Sequence, residues 1–158
     1  MRKVFFNCLV KLAKKDKRIY FLTGDLGYPY TEEFRKKFPK RFINCGIIEQ
    51  TMMGIAAGLA LSGKKPYVYS IIPFAIMRCF EQVRDDVCHQ NLDVKIIGIG
   101  SKHYDILGFT HNITKNEDLK ILKPLPNIEC YVPKTKEEVE KIIMKTYKNK
   151  KPTYIRLV

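Results

Sequence analysis

Short apolar runs alternate along this chain with longer segments of helical periodicity, and that alternation leaves few folds open. Residues 19–22, 41–44, 66–71, 93–100, 129–132 and 153–158 read as strands. Between them, helices are predicted over 2–15, from a Thr31 cap through Lys37, over 46–61 up to Gly63, over 74–89, and from a Thr135 cap through Lys148. The strands are near-continuously apolar, as strands buried on both faces must be. The expectation is a three-layer, doubly wound α/β fold with a mostly parallel six-stranded sheet. A length of 158 residues fits one domain, taken as 1–158. The longest irregular stretch, 101–127, follows a strand's carboxyl end, where open α/β sheets place ligands.

Lys plus Arg total 29 against 16 Asp plus Glu, a net charge of +13. That balance suits an acidic partner such as nucleic acid, anionic lipid or phosphorylated metabolites, and a Lys-biased genome gives the same count. No zinc-ligand spacing, recognition helix or aromatic RNA-binding strand accompanies it, which speaks against nucleic acid. No apolar run approaches the ~20 residues that cross a bilayer. The first segment is broken by Asn7 and Lys11 and leads to no cleavage site, so it does not read as a targeting signal. The five cysteines are widely spaced and form no C-x-x-C, which suits reduced thiols in a cytoplasmic protein. Cys88 and His89 are neighbours on a helix and point apart, so they do not read as nucleophile and base.

The stretch 44–66 is the most informative. Gly54, Ala56, Ala57, Gly58 and Ala60 make one helix very small on some faces. A helical glycine costs about 1 kcal/mol relative to alanine, so two of them suggest close approach by another backbone. Glu49 stands at the start of this mostly apolar helix, where a carboxylate suits the helix dipole.

Asn44-x-Gly46-Ile47-x-Glu49-Gln50-x-Met52-x-Gly54-Ile55-Ala56-x-Gly58-Leu59-Ala60-x-x-Gly63-x-x-Pro66 resembles the signature of the pyrimidine-binding domain of transketolases, enzymes that use thiamine diphosphate. The likeness continues in Phe74-x-x-x-Arg78-x-x-Glu81-Gln82-Val83-Arg84, Gln90-Asn91-Leu92, Gly108-x-Thr110-His111, Leu125-Pro126-Asn127 and Pro152-x-Tyr154-Ile155-Arg156-Leu157. By that resemblance Glu49 is the carboxylate that shares a proton with the pyrimidine nitrogen, while the cofactor serves as electron sink. Ile48 and Phe74 line the cofactor, with Phe74 on the aminopyrimidine face. Arg78 is a further cofactor-binding residue, and both Arg78 and Arg84 hold the helix or reach phosphate. His111 resembles the family's substrate-facing histidine, which binds a hydroxyl or moves a proton. Asp25 aligns with a structural or interface aspartate.

Family enzymes hold the diphosphate through a metal on a second domain carrying a G-D-G motif. This sequence has none. The resemblance therefore implies a separate diphosphate-binding subunit supplying the Mg2+ ligands, in a heterotetramer with two of each chain. It implies transfer of a two-carbon ketol unit between keto sugar or sugar phosphate substrates. The alternatives are a subunit of a 2-oxo acid decarboxylase or dehydrogenase, and a non-catalytic interaction subunit. Two departures qualify this. Ile106 and Leu107 stand where the family loop carries an acidic pair. A leucine there leaves a sugar hydroxyl without a partner, a loss of ~1–3 kcal/mol, which implies a substrate other than an ordinary pentose phosphate or one held differently. The sequence also stops at Val158, which implies that the family's further C-terminal domain is lost or that this is a compact variant.

Overall fold

The computed structural model describes residues 1–100, 113 and 116–158. Strand β1 (Ile19–Thr23) pairs with β2 (Phe42–Asn44) on one side and β3 (Lys65–Ile71) on the other. Beyond β3 come β4 (Lys95–Ile99), β6 (Thr153–Leu157) and β5 (Glu129–Tyr131), giving the order β2-β1-β3-β4-β6-β5. All five pairings are parallel. Connections run outward from β1 to β2 and then back across to β3, so the sheet reverses direction between β1 and β3.

Successive strand residues face opposite sides, and each side has its own core. On one side Phe21, Tyr67, Tyr69, Ile97 and Ile155 pack against helix α1 (Arg2–Lys15), helix α2 (Glu32–Lys37) and the last helix, Lys136–Lys148. Phe5, Leu9, Phe34, Val139 and Ile143 are the helical half of that core, all fully buried. On the other side Leu22, Val68, Ile96 and Tyr154 meet Met52, Met53 and Ala56 of helix α3 (Glu49–Leu61) and Ala75 of helix α4 (Ile72–Ile76). Helix α5 (Phe80–Gln82) runs into a π-helical segment, Val83–His89, whose Val83 and Val87 join the same core. Helix α6 (Glu117–Leu122) adds Leu122, and the Lys136–Lys148 helix is α7. Among the described residues no helix is long and apolar enough to cross a membrane.

Several boundaries differ from the sequence expectation. The helix expected from residue 46 begins at Glu49, because Gly46 takes φ +75° and Ile48 has non-helical ψ. Arg41 belongs to a 3₁₀ turn, Pro39–Arg41, and not to the second strand. The helix expected over 74–89 starts earlier, with Pro73 in its first turn, and then breaks. There the Arg78 N–H reaches back to Pro73 O, and Cys79 leaves helical geometry at φ −115°. Thr31 makes no side-chain cap, whereas the Thr135 hydroxyl accepts from the Glu138 N–H as expected. The stretch taken as irregular contains α6. Among the described residues no close backbone approaches Gly54 or Gly58: a Cβ at either would meet nothing within 4 Å.

One glycine does carry a packing constraint. A Cβ at Gly98 would stand 2.8 Å from Tyr154 Cε2 and 3.1 Å from Ile72 Cγ1. The Tyr154 ring cannot yield, because its hydroxyl donates to buried Asp118 at 2.7 Å and Asp118 also holds Arg156 at 3.0 Å. Gly98→Ala is expected to lower stability by about 1–3 kcal/mol through overpacking, read as a lower urea midpoint with unchanged slope.

Candidate functional site

Asn44 closes the turn that precedes α3. Its side-chain oxygen accepts from the Asp25 N–H at 2.9 Å and the Gly46 N–H at 3.1 Å, and its Nδ2 donates to Asp25 Oδ1 at 2.9 Å. Asp25 itself sits at φ +56°, a conformation that aspartate tolerates better than most residues. The loop after β1 and the turn into α3 are thereby joined at the point where the sheet reverses direction. Such points are where α/β sheets leave a crevice.

This turn delivers Glu49 into the protein at 1% exposure. Its Oε1 accepts from the Ser70 hydroxyl at 3.2 Å, and its Oε2 pairs with Arg78 Nη1 at 2.7 Å. The Arg78 guanidinium lies 3.8 Å from the Phe74 ring centroid. Gly24 leaves room for this carboxylate: a Cβ there would come within 3.1 Å of Gly46 O and 3.3 Å of Glu49 Oε1. A buried carboxylate is costly unless paired and hydrogen-bonded, and here both conditions hold. The cation is the exposed partner, its side chain 40% accessible against 1% for Glu49. Solvent can therefore take up Arg78 if another planar donor arrives.

Of the residues singled out in the sequence, the fold brings Glu49, Phe74 and Arg78 together. Ile48 occupies the position before α3 and is about half exposed, so it lies beside the carboxylate without closing over it. His111, with Asp105, Ile106, Leu107, Gly108 and Thr110, lies outside the described residues. Arg84 pairs with Asp85 on an exposed surface and does not reach Glu49. Ser70 and Gly24 belong to the site and were missed. The one signal for Ser70 was a hydroxyl in an otherwise apolar strand, and nothing marked Gly24 except its place after β1.

The thiols take no part as nucleophiles. Burial, with Glu49 nearby as the second cause, pushes Cys79 up to about 12, and its Sγ is engaged with Ala75 O at 3.0 Å. Burial likewise raises Cys88 to about 12, in keeping with the inert reading of Cys88 and His89. Among the described residues no three His, Cys, Asp or Glu side chains are grouped to hold a metal.

The arrangement has a clear chemical preference. An anionic oxygen pair is presented beside an aromatic face, and a flat delocalised cation already satisfies both. An aminopyrimidine that donates from a ring nitrogen has the same requirements, so the residues present fit such a group.

Comparison with known proteins places the chain in a family. Residues 1–158 match the family described as "Transketolase, pyrimidine binding domain". The chain is 35% identical over 158 residues to one of the subunits of the apulose-4-phosphate transketolase of Phocaeicola vulgatus, covering 99% of this chain and 50% of that protein. It is 32% identical over 160 residues to a subunit of the 6-deoxy-6-sulfo-D-fructose transketolase of a Clostridium species, covering all of this chain and 49% of that protein. A solved structure described as a split gene transketolase, inactive beta4 tetramer, superposes with a TM-score of 0.87 at 36% identity, over 99% of this chain and 50% of that one. The chain thus spans about half the length of these three relatives. It belongs to the transketolase pyrimidine-binding domain family.

Proposed function

We propose that this chain is the pyrimidine-binding subunit of a two-chain, thiamine diphosphate-dependent transketolase that moves a two-carbon ketol unit between sugar substrates. The observation that carries this reading is the buried Glu49 carboxylate, bonded by Ser70 and paired with a cation stacked on Phe74. Glu49 takes the pyrimidine ring nitrogen, Phe74 supports the ring face, and Ile48 flanks it. The cofactor supplies an electron sink for the cleaved ketose. His111 is assigned to the substrate side on the resemblance of its loop. A separate subunit holds the diphosphate and Mg2+, with two of each chain in the assembly. The solved relative described as an inactive beta4 tetramer supports such a division of labour. The relatives are named for different ketoses, so the donor is read here as a keto sugar and no more narrowly. Five unpaired thiols suit the cytoplasm.

In this reading Arg78 keeps Glu49 paired while no pyrimidine is bound and swings toward solvent when one enters. Glu49 and Phe74 are then the residues that would hold the pyrimidine ring.

Mixing the chain with a diphosphate-binding partner tests the assignment. Ketol transfer is expected from the mixture and from neither chain by itself, and turnover by this chain unaided overturns the two-subunit reading. Release of CO2 from a 2-oxo acid without an acceptor sugar supports the decarboxylase alternative instead. Glu49→Gln is expected to assemble normally and lose about 10²–10⁴-fold in turnover, the usual worth of a positioned proton-transfer group. Unchanged turnover removes Glu49 from the mechanism. Arg78→Met is expected to tighten thiamine diphosphate binding to the assembled enzyme about fivefold, the equivalent of ~1 kcal/mol for a half-exposed ion pair no longer displaced. Calorimetry measures this, and weaker binding would make Arg78 a direct contact of the cofactor.

A further inference from the structure

The opposite pole of the sheet holds a second feature that the proposed function does not use. A cavity of about 460 Å³ opens there, lined by Arg18, Lys64, Lys65, Lys148 and Lys150 with Asp93 as its acidic member. It lies at the amino ends of the strands, whereas Glu49 and Ser70 lie toward the carboxyl ends. The seven residues of β3 separate the two poles, a span of roughly 20 Å.

The charges at this cavity do not cancel. Asp93 is shared between two lysines, 2.7 Å from Lys95 Nζ and 3.2 Å from Lys65 Nζ. Lys95 is fully buried, and its remaining donors go to Asn149 Oδ1 at 2.5 Å, Lys151 O at 2.9 Å and Thr153 Oγ1 at 3.2 Å. Burial pulls its pKa down while Asp93 opposes the shift. One carboxylate thus faces two buried ammonium groups. Arg18 is matched by Asp16 at 2.8 Å. Lys64, Lys148 and Lys150 have no ion-pair partner among the described residues, so three further cations face the opening.

Helix ends do not account for these three. Helices α1, α3 and α7 all end near this pole, and their carboxyl ends favour cations. Several of those carbonyls already have partners. Lys65 Nζ takes Tyr147 O at 2.7 Å, the Lys64 N–H takes Leu59 O, Gly63 takes Ala60 O, and Ser62 takes Gly58 O. Near Asp93 and Tyr147, but not lining the cavity, the Tyr67 hydroxyl is fully buried and has no hydrogen-bond partner among the described residues. Ammonium groups clustered around one opening without counter-charges raise the local positive potential above that of dispersed surface lysines and so favour an anion there.

We infer that this cavity is a binding site for a diphosphate-bearing small molecule, separate from the cofactor site. The volume suits a ligand of nucleoside diphosphate size or smaller. The cations around one opening match a doubly phosphorylated group better than a single carboxylate.

Calorimetry on the full chain with inorganic diphosphate, and separately with ADP, tests this. Saturable one-to-one binding of either is expected. Comparable affinities assign the site to the diphosphate group, and binding of ADP alone assigns it to a nucleotide. The triple variant Lys64→Glu, Lys148→Glu, Lys150→Glu is expected to weaken binding by about tenfold or more, since one lost charge-assisted contact is worth that much. These positions lie at the surface, and a circular dichroism spectrum checks that the fold is retained. Lys36→Glu, Lys40→Glu, Lys123→Glu changes the net charge equally elsewhere and is expected to weaken binding less than about twofold. Glu49→Gln is expected to leave diphosphate binding intact, so this site stands or falls apart from the cofactor reading. Equal losses in both triple variants, no saturable binding at millimolar diphosphate, or displacement of diphosphate by duplex nucleic acid would each overturn the inference.

Discussion

All six strands run the same way, so every connecting helix must return the other way, and that single polarity organises the molecule. Strand carboxyl ends and helix amino ends collect at one pole. Strand amino ends and helix carboxyl ends collect at the other. The first pole offers unsatisfied N–H groups and tolerates carboxylates, while the second offers carbonyls and tolerates cations. Glu49 stands at the first pole, at the start of α3, and the lysine-lined cavity lies at the second, near the end of the same helix. The chemistry of each pole follows from the direction of the chain before any particular ligand is considered.

Within that frame the Glu49 carboxylate is the costly element. It is buried under an apolar helix and is held by one hydroxyl and one guanidinium. Room for it depends on Gly24, and its position depends on Asn44 joining Asp25 to the turn at Gly46. A charge buried in this way is poor for stability and useful for chemistry, because its partner can be exchanged. Arg78 is the more exposed member of the pair: it lies over Phe74 with a large share of its side chain in water. Relatives of this chain are named as single subunits of transketolases and as a split-gene transketolase.

Much of this was readable from residue order, and the exceptions have identifiable causes. The six strands announce themselves because strands buried on both faces need continuous apolar runs. Glu49, Phe74 and Arg78 could be singled out by their spacing within one resemblance. The break after α4 could not, because a backbone bond from Arg78 to Pro73 wins over a helical pattern that continues through it. Helix α6 was hidden in a polar stretch, and its support is tertiary: Asp118 is held by Tyr154 and Arg156, dozens of residues away. Gly54 and Gly58 read as places for a close backbone, and among the described residues nothing lies within 4 Å of a Cβ built at either.

Sequence alone determined the α/β class and the parallel sheet, because periodicity is a property of neighbouring residues, and its resemblance to a family singled out Glu49. It also determined the excess of positive charge, without saying where that charge gathers. Tertiary structure decided that Ser70 and Gly24 belong with Glu49, that Arg78 rather than Arg84 pairs with it, and that lysines from separate segments surround one cavity. These are relations between residues far apart in the chain. They exist only once the strands are in register and a buried charge has to find its partner.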